Sequence, residues 1–219
     1  MKKILIGLMV AMVATCGFAD LIATWDFTGF AGNEASAAGS MLANMEASTL
    51  TRGGGLGATG NGDRFCANGF ADTLANALTG ADYFTFTLEA SSTYAFSLSS
   101  MVFNFQASGT GPQSWALFSS VTGWNEVDVL ENWAGVGNGV TETADLSGVT
   151  ALQSASSAIE FRVYGYGASG TGGTGGFEGT GDDIVVNGTV APSAIPEPAT
   201  MSLLGLGALA MVLRRKIRK

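Results

Sequence analysis

The sequence predicts an all-β fold, an antiparallel β-sandwich, set between an N-terminal signal peptide and one short C-terminal transmembrane helix. Three observations carry this. Several short segments alternate apolar and polar residues with period two, as strands with one buried face require. Gly, Ser, Thr and Asn collect between those segments at turn-like spacing, with no alternation of strands and helices. The two ends differ from the middle: each joins an apolar run to a basic cluster, whereas the middle is acidic.

The elements follow in order. Lys2 and Lys3 precede an apolar run from Ile4 to Val13, and Gly17-Phe18-Ala19 places small residues before a cut after Ala19. Residues 1–19 therefore read as a secretory signal peptide, handled by the Sec machinery and signal peptidase. Cys16 raises lipoprotein processing, but Val13-Ala14-Thr15 is a poor lipobox and ordinary cleavage is preferred. The β-sandwich domain is expected over 20–190. Its strands are Leu21 to Phe27; Tyr83 to Leu88, with Phe84, Phe86 and Leu88 on one face; Met101 to Gln106, with Met101, Phe103 and Phe105 inward; Ser114 to Val121; Ser157 to Tyr166; and Asp183 to Val190. In the fifth, Ile159, Phe161 and Val163 face the core and Glu160, Arg162 and Tyr164 face out. Helical pieces are expected at Ala35 to Met45 and, shorter, at Leu74 to Leu78.

Residues 191–200 form a linker. Pro196 and Pro198 fix their own φ and remove two backbone donors, and they bias Ile195 and Glu197 toward extended geometry. Pro-Glu-Pro thus stays outside helix and sheet, where a processing enzyme can grip it. The stretch Ala199 to Leu213 is uncharged. As a helix it spans roughly 22 Å, short of the ~30 Å hydrocarbon core. Snorkelling by Arg214 and Arg215 or local thinning covers the deficit for a transmembrane helix at 201–213. The basic end at 214–219 (Arg214, Arg215, Lys216, Arg218 and Lys219) favours a cytoplasmic C-terminus.

Composition bounds the function. Between residues 20 and 197 the chain has 3 basic residues, Arg52, Arg64 and Arg162, against 18 acids, a net charge of −15. Such a surface repels nucleic acid and anionic polysaccharide. It suits calcium, neutral glycans or plain solubility. The sequence has no histidine, which excludes Ser-His-Asp and Cys-His catalysis within the chain and histidine-bearing zinc sites. With Cys16 removed, Cys66 is the one cysteine left, so no internal disulfide forms. Cys66 reads as a small buried hydrophobe.

Several motifs fail their tests. Gly165-Tyr166-Gly167-Ala168-Ser169-Gly170 fits Gly-x-Gly-x-x-Gly, but more glycine follows where a dinucleotide site needs a helix; a flexible hairpin loop is the preferred reading. A Gly-Gly-x-Gly-x-Asp calcium repeat starting at Gly172 meets Phe177 in place of the acid. No pair of carboxylates stands out as a glycosidase dyad, and no feature argues for an enzyme. Asn187-Gly188-Thr189 is a sequon by form only.

Trp115 lies within a strand and reads as core. Trp124 and Trp133 flank Asn125-Glu126-Val127-Asp128 in loop-like sequence, and Tyr164 and Tyr166 fall on an outward face by alternation. Exposed aromatics beside carboxylates stack on sugar rings and accept their hydroxyls, so these four are candidate glycan contacts. The plainer reading is ordinary sandwich edges.

The order Pro196-Glu197-Pro198, apolar run, basic end resembles the PEP-CTERM sorting signal of Gram-negative bacteria. The resemblance implies recognition by an exosortase, export, passage through the cell membrane, and residence at the surface or in the exopolysaccharide matrix. It covers about a tenth of the chain. The interior resembles a jelly-roll-like extracellular domain found in such proteins. The resemblance rests on Gly111-Pro112-Gln113-Ser114-Trp115-Ala116-Leu117, Ala144-Asp145-Leu146-Ser147, Glu160 to Gly167, Gly172 to Gly176 and Asp183 to Gly188. Related sandwiches are carbohydrate-binding and lectin-like, and carry a structural calcium held by acids near the first and last strands. By that resemblance Asp26, Asp182 and Asp183 are candidate calcium ligands if the termini meet; the plainer reading is an exposed turn. The functional expectation is a non-catalytic structural or adhesive exported protein, with a carbohydrate-binding module of the cell surface as the alternative.

Overall fold

A computed structural model describes residues 20–136, 139–178 and 181–193. The expected signal peptide, the Pro-Glu-Pro motif, the membrane segment 201–213 and the basic end lie outside the described residues. The strands run β1 (Asp20–Asp26), β2 (Ala37–Ala38), β3 (Ser40–Met41), β4 (Thr49–Arg52), β5 (Gly57–Ala58), β6 (Arg64–Asn68), β7 (Tyr83–Leu88), β8 (Tyr94–Ala107), β9 (Ser114–Ser119), β10 (Glu131–Ala134), β11 (Val140–Asp145), β12 (Ile159–Tyr166), β13 (Thr174–Glu178) and β14 (Asp182–Pro192). One helix, α1 (Leu74–Gly80), precedes β7. One sheet has the order β3-β1-β14-β8-β13-β6-β5, with β11 also on β8; the other has the order β10-β9-β12-β7-β4-β2.

Alternation sorts the side chains between the layers. The first sheet turns Trp25, Phe27, Phe65, Phe103, Phe105 and Phe177 inward, and the second turns Phe84, Phe86, Trp115 and Phe161 to meet them, all within 1% of full burial. The rings interlock across the gap: Trp25 on Phe86 at 4.8 Å, Phe177 edge-on to Phe84 at 4.9 Å, and Phe105 stacked on Trp115 at 4.6 Å with planes 13° apart. Such pairs add about 0.5–1.5 kcal/mol each beyond the area they bury.

β8 organises the larger sheet. On one edge it pairs with β14 from Tyr94 to Phe103 and then with β13 from Phe105 to Ala107. On its other edge β11 pairs from Ser100 to Phe105. The first edge therefore forks: Phe105 faces Phe177 and Phe103 faces Ile184, while Asn104 between them has no ladder partner on that side.

The segment expected as a helix at Ala35 to Met45 is not one. Its residues form β2 and β3 and serve the edges of two sheets. Gly39 N–H donates to Ser48 O at 2.9 Å and Leu42 N–H to Ile22 O at 2.8 Å. Gly39 also lies flat on the Trp25 indole, where an added Cβ would come within 2.7 Å of a ring carbon. Unpaired strand edges outweigh the alanines' helical preference.

The shorter helix is present. Thr73 caps it, accepting from Asn76 N–H at 3.3 Å, and Ala81 closes it in the left-handed region. It lies on the outer face of the second sheet, where buried Ala77 packs with Ala116, Phe118 and Tyr164. The glycine run expected as a flexible hairpin loop is a strand in its second half: β13 pairs with both β6 and β8. Gly173 and Gly175 are there for close approach, since an added Cβ would meet the Thr110 carbonyl at 2.2 Å and the Pro112 ring at 2.5 Å.

The Phe105–Trp115 stack sits at the centre of this packing, and truncating it leaves a cavity. Phe105→Ala should lower unfolding free energy by about 3–5 kcal/mol. Val127→Ala, at a side chain 89% exposed, should change it by less than about 0.5 kcal/mol. Urea unfolding of both variants measures the contrast.

Candidate functional site

Fold geometry brings the expected acids to one end of the larger sheet, in different settings. Asp26 and Asp182 are cross-strand partners where β1 and β14 meet, at an irregularity in register. Asp26 is exposed, and its carboxylate accepts from Thr28 N–H at 2.9 Å. Hydrogen bonds from the Thr28 side chain and backbone hold its carboxyl below the usual range. Asp182 is also exposed. Asp183 is different. It is 1% exposed; its Oδ2 accepts from Phe27 N–H at 3.0 Å, and its Oδ1 has no hydrogen-bond partner.

Burial pushes the Asp183 carboxyl up to about 7, with further upward push from Asp26, Glu178 and Asp182 against a downward pull from the Phe27 N–H. Among the described residues no three acids come together as a metal cage, so the trio Asp26, Asp182 and Asp183 does not close around one ion by itself. Asp183 instead lines a cavity of about 180 Å³ with Asn104, Gly139, Thr141 and Glu178. Sequence reasoning missed Asn104, Thr141 and Glu178 as its neighbours. Glu178 ends a strand hidden in glycine, and the fork that exposes Asn104 has no local signature.

The four candidate glycan aromatics separate. Trp133 is not in a loop: it lies in β10, is 7% exposed, and packs edge-on against Phe103 at 5.7 Å. Tyr164 does face outward from the sheet, but α1 covers that face and leaves it 1% exposed, with Tyr83 and Phe118 edge-on to its ring. Both are corrections to the expectation of exposed rings. Trp124 and Tyr166 stay partly exposed. The Arg162 guanidinium lies 4.1 Å from the Trp124 ring and 4.4 Å from that of Tyr83, and its Nε pairs with Glu160 at 2.7 Å. One face of Trp124 is therefore taken by a cation–π contact. The Tyr166 hydroxyl donates to Asn132 Oδ1 at 2.7 Å.

Two further groups are structural. Cys66 is buried, and burial pushes its thiol up to about 11, the opposite of what a nucleophile needs. Arg52 lies over Phe65 at 3.7 Å and donates to three backbone carbonyls, of Cys66, Glu34 and Gly32, at 2.8, 2.6 and 2.8 Å. Burial lowers its guanidinium to about 10. It staples the loop after β1 to β6.

Residues 194–216 match the family described as the PEP-CTERM protein-sorting motif. The chain carries a PEP-CTERM sorting motif. The match begins immediately after Ser193, whose N–H closes the sheet by donating to Thr93 O at 2.7 Å, and it takes in Pro196, Glu197, Pro198, the apolar run and Arg214 to Lys216. A PEP-CTERM motif implies recognition by an exosortase and an exported, membrane-sorted protein. No curated protein and no solved structure matches the chain.

The Asp183 carboxyl makes stability depend on pH in a definite direction. An unfolded aspartate titrates near 4 and the folded one near 7. Between these values the folded chain holds a proton that the unfolded chain has lost, so stability falls as pH rises through this window. Asp26 and Asp145, held low by hydrogen bonds from Thr28 and Ser147, act at more acid pH. In metal-free buffer the chain should melt at lower temperature at pH 8 than at pH 5.5, and Asp183→Asn should at least halve that difference. Melting curves at the two pH values measure it; an undiminished difference in the variant would place the responsible group elsewhere.

Proposed function

We propose that this chain is an exported surface or extracellular-matrix protein of a Gram-negative bacterium, sorted and processed at its C-terminal signal by an exosortase. In this reading the sandwich has a non-catalytic, structural or adhesive role. The observation that carries it is the PEP-CTERM match at 194–216 directly behind Ser193, where the described β-domain ends. Secretion begins with the Sec machinery and signal peptidase at 1–19, the membrane segment 201–213 holds the chain during sorting, and the basic end at 214–219 stays in the cytoplasm. The adjacency of β1 and β14 within one antiparallel sheet supports reading the sandwich as jelly-roll-like.

The charge of the domain fits this role. At −15 over residues 20–197 it resists non-specific adhesion to nucleic acid and to anionic polymer, so contacts with exopolysaccharide would run through neutral sugars. A second reading, a carbohydrate-binding module, rests on Trp124 and Tyr166, whose rings remain partly exposed. With Trp133 and Tyr164 packed inside, it has two of its four aromatics.

The test is genetic, in the native bacterium. Glu197→Ala, and separately a stop codon after Ser193, should each abolish C-terminal processing and change the protein's partition between membrane, surface and medium, with Trp124→Ala leaving both unchanged. Fractionation followed by immunoblotting reads the result. Unaltered processing and destination in both tail variants would defeat the sorting role.

A further inference from the structure

We infer that the fork in the larger sheet is a site for one hard divalent cation of the calcium class, held by Asp183 and Glu178 with oxygen from Asn104 and Thr141. The site is built by topology. β13 ends at Glu178 and β14 begins at Asp182, and both lie along the same edge of β8. The ladder passes from Phe177 opposite Phe105 to Ile184 opposite Phe103, so Asn104 faces the gap between the two strands. On the other edge of β8, Thr141 of β11 is the direct partner of Asn104. The cavity of about 180 Å³ is lined by these four residues and Gly139, large enough for an ion with bound water, which occupies ≈ 30 Å³ per molecule in the liquid.

Its chemistry calls for a cation. The Oδ1 of Asp183 is buried and has no partner, and an unmatched carboxylate oxygen away from water costs free energy that an ion or a proton must offset. The groups acting on it electrostatically are Asp26, Glu178 and Asp182, all acids. Arg64 is the cross-strand neighbour of Glu178, yet the one ion pair among the described residues is Arg162 with Glu160.

The donors also select the metal. All are oxygens: two carboxylates, the Asn104 amide and the Thr141 hydroxyl. The hydroxyl donates to Asn104 Oδ1 at 2.7 Å, which orients both oxygens and leaves each a free lone pair. Oxygen-only sets without histidine or thiolate suit calcium or magnesium, and a mixed set on separate strands tolerates calcium's irregular geometry better than magnesium's octahedron. Glu178 takes the place that the jelly-roll resemblance suggests for Asp26 and Asp182, both of which are exposed. The ion would tie the end of β13 to the start of β14 across the gap at Asn104. This inference is independent of the sorting role.

The test uses the full chain in detergent, stripped with chelator and dialysed, with calcium chloride as the probe. Calorimetric titration should show one ion per chain with a dissociation constant of about 0.1–1 mM, the range of extracellular modules. At a calcium concentration 100 times that constant, the melting temperature should rise by roughly 5–10 °C. Glu178→Gln should weaken binding at least about tenfold and remove most of that rise, while Asp26→Asn should change affinity less than about threefold. Asp183→Asn should abolish binding; if that variant fails to fold, Glu178→Gln decides. No saturable heat up to about 10 mM calcium, or an affinity indifferent to Glu178→Gln, overturns the site.

Discussion

β8 must satisfy ladders with β14, β13 and β11 while its inward side chains, Phe96, Leu98, Met101, Phe103 and Phe105, fill the middle of the core. This double duty shapes the rest of the molecule. A strand of 14 residues is longer than either partner on its forked edge needs, so two strands share it and part at Asn104. The fork puts a buried carboxylate, Asp183, where a further ladder partner would otherwise stand, and Asp183 in turn holds the first strand's end through the Phe27 N–H. Core packing, the pairing of the first described strand with the last and the burial of Asp183 thus follow from a single long strand.

The same geometry bears on sorting. β1 starts opposite Gly188 and β14 runs on to Pro192, so the start of the described domain and its exit toward the motif lie at the same end of one sheet. Between Ser193, the last residue with a described backbone bond, and Pro196 there are two residues, a span of about 10 Å at full extension. An enzyme that reads Pro-Glu-Pro would have to approach within that reach of Ser193. The acidic surface would hold that end of the domain away from anionic headgroups and polymers, leaving attachment to the sorting motif.

How much of this was legible in the sequence depended on whether the signal was local. Alternating Phe84, Phe86 and Leu88 marked β7 to the residue, and Phe161 and Val163 marked β12, because a half-buried strand writes its period into four or five side chains. β6, β10, β11 and β13 went unread: they are short, carry glycine or charge, and form by pairing with strands distant in sequence or by edges that no local pattern records. Ala35 to Met45 misled because alanine favours helix only where no strand edge competes. Tyr164 faced outward as alternation required, yet was buried, since period two says nothing about a helix arriving to cover that face. Asp183 was legible as a residue of interest, but its partners Glu178, Asn104 and Thr141 lie on three different strands, joined by pairings that no local pattern encodes. The sorting motif was legible in full because an enzyme reads it as linear sequence.

Under the proposed sorting role the tail is a detachable handle and the acidic sandwich its cargo. The most direct measurement is the intact mass of the protein recovered from the surface or medium of its native bacterium. Sorting at the motif should leave a chain beginning at or near Asp20 and ending close to Pro-Glu-Pro, without the apolar run and the basic end, whatever group is attached there. A mature protein that still carried residues 201–219 would contradict it.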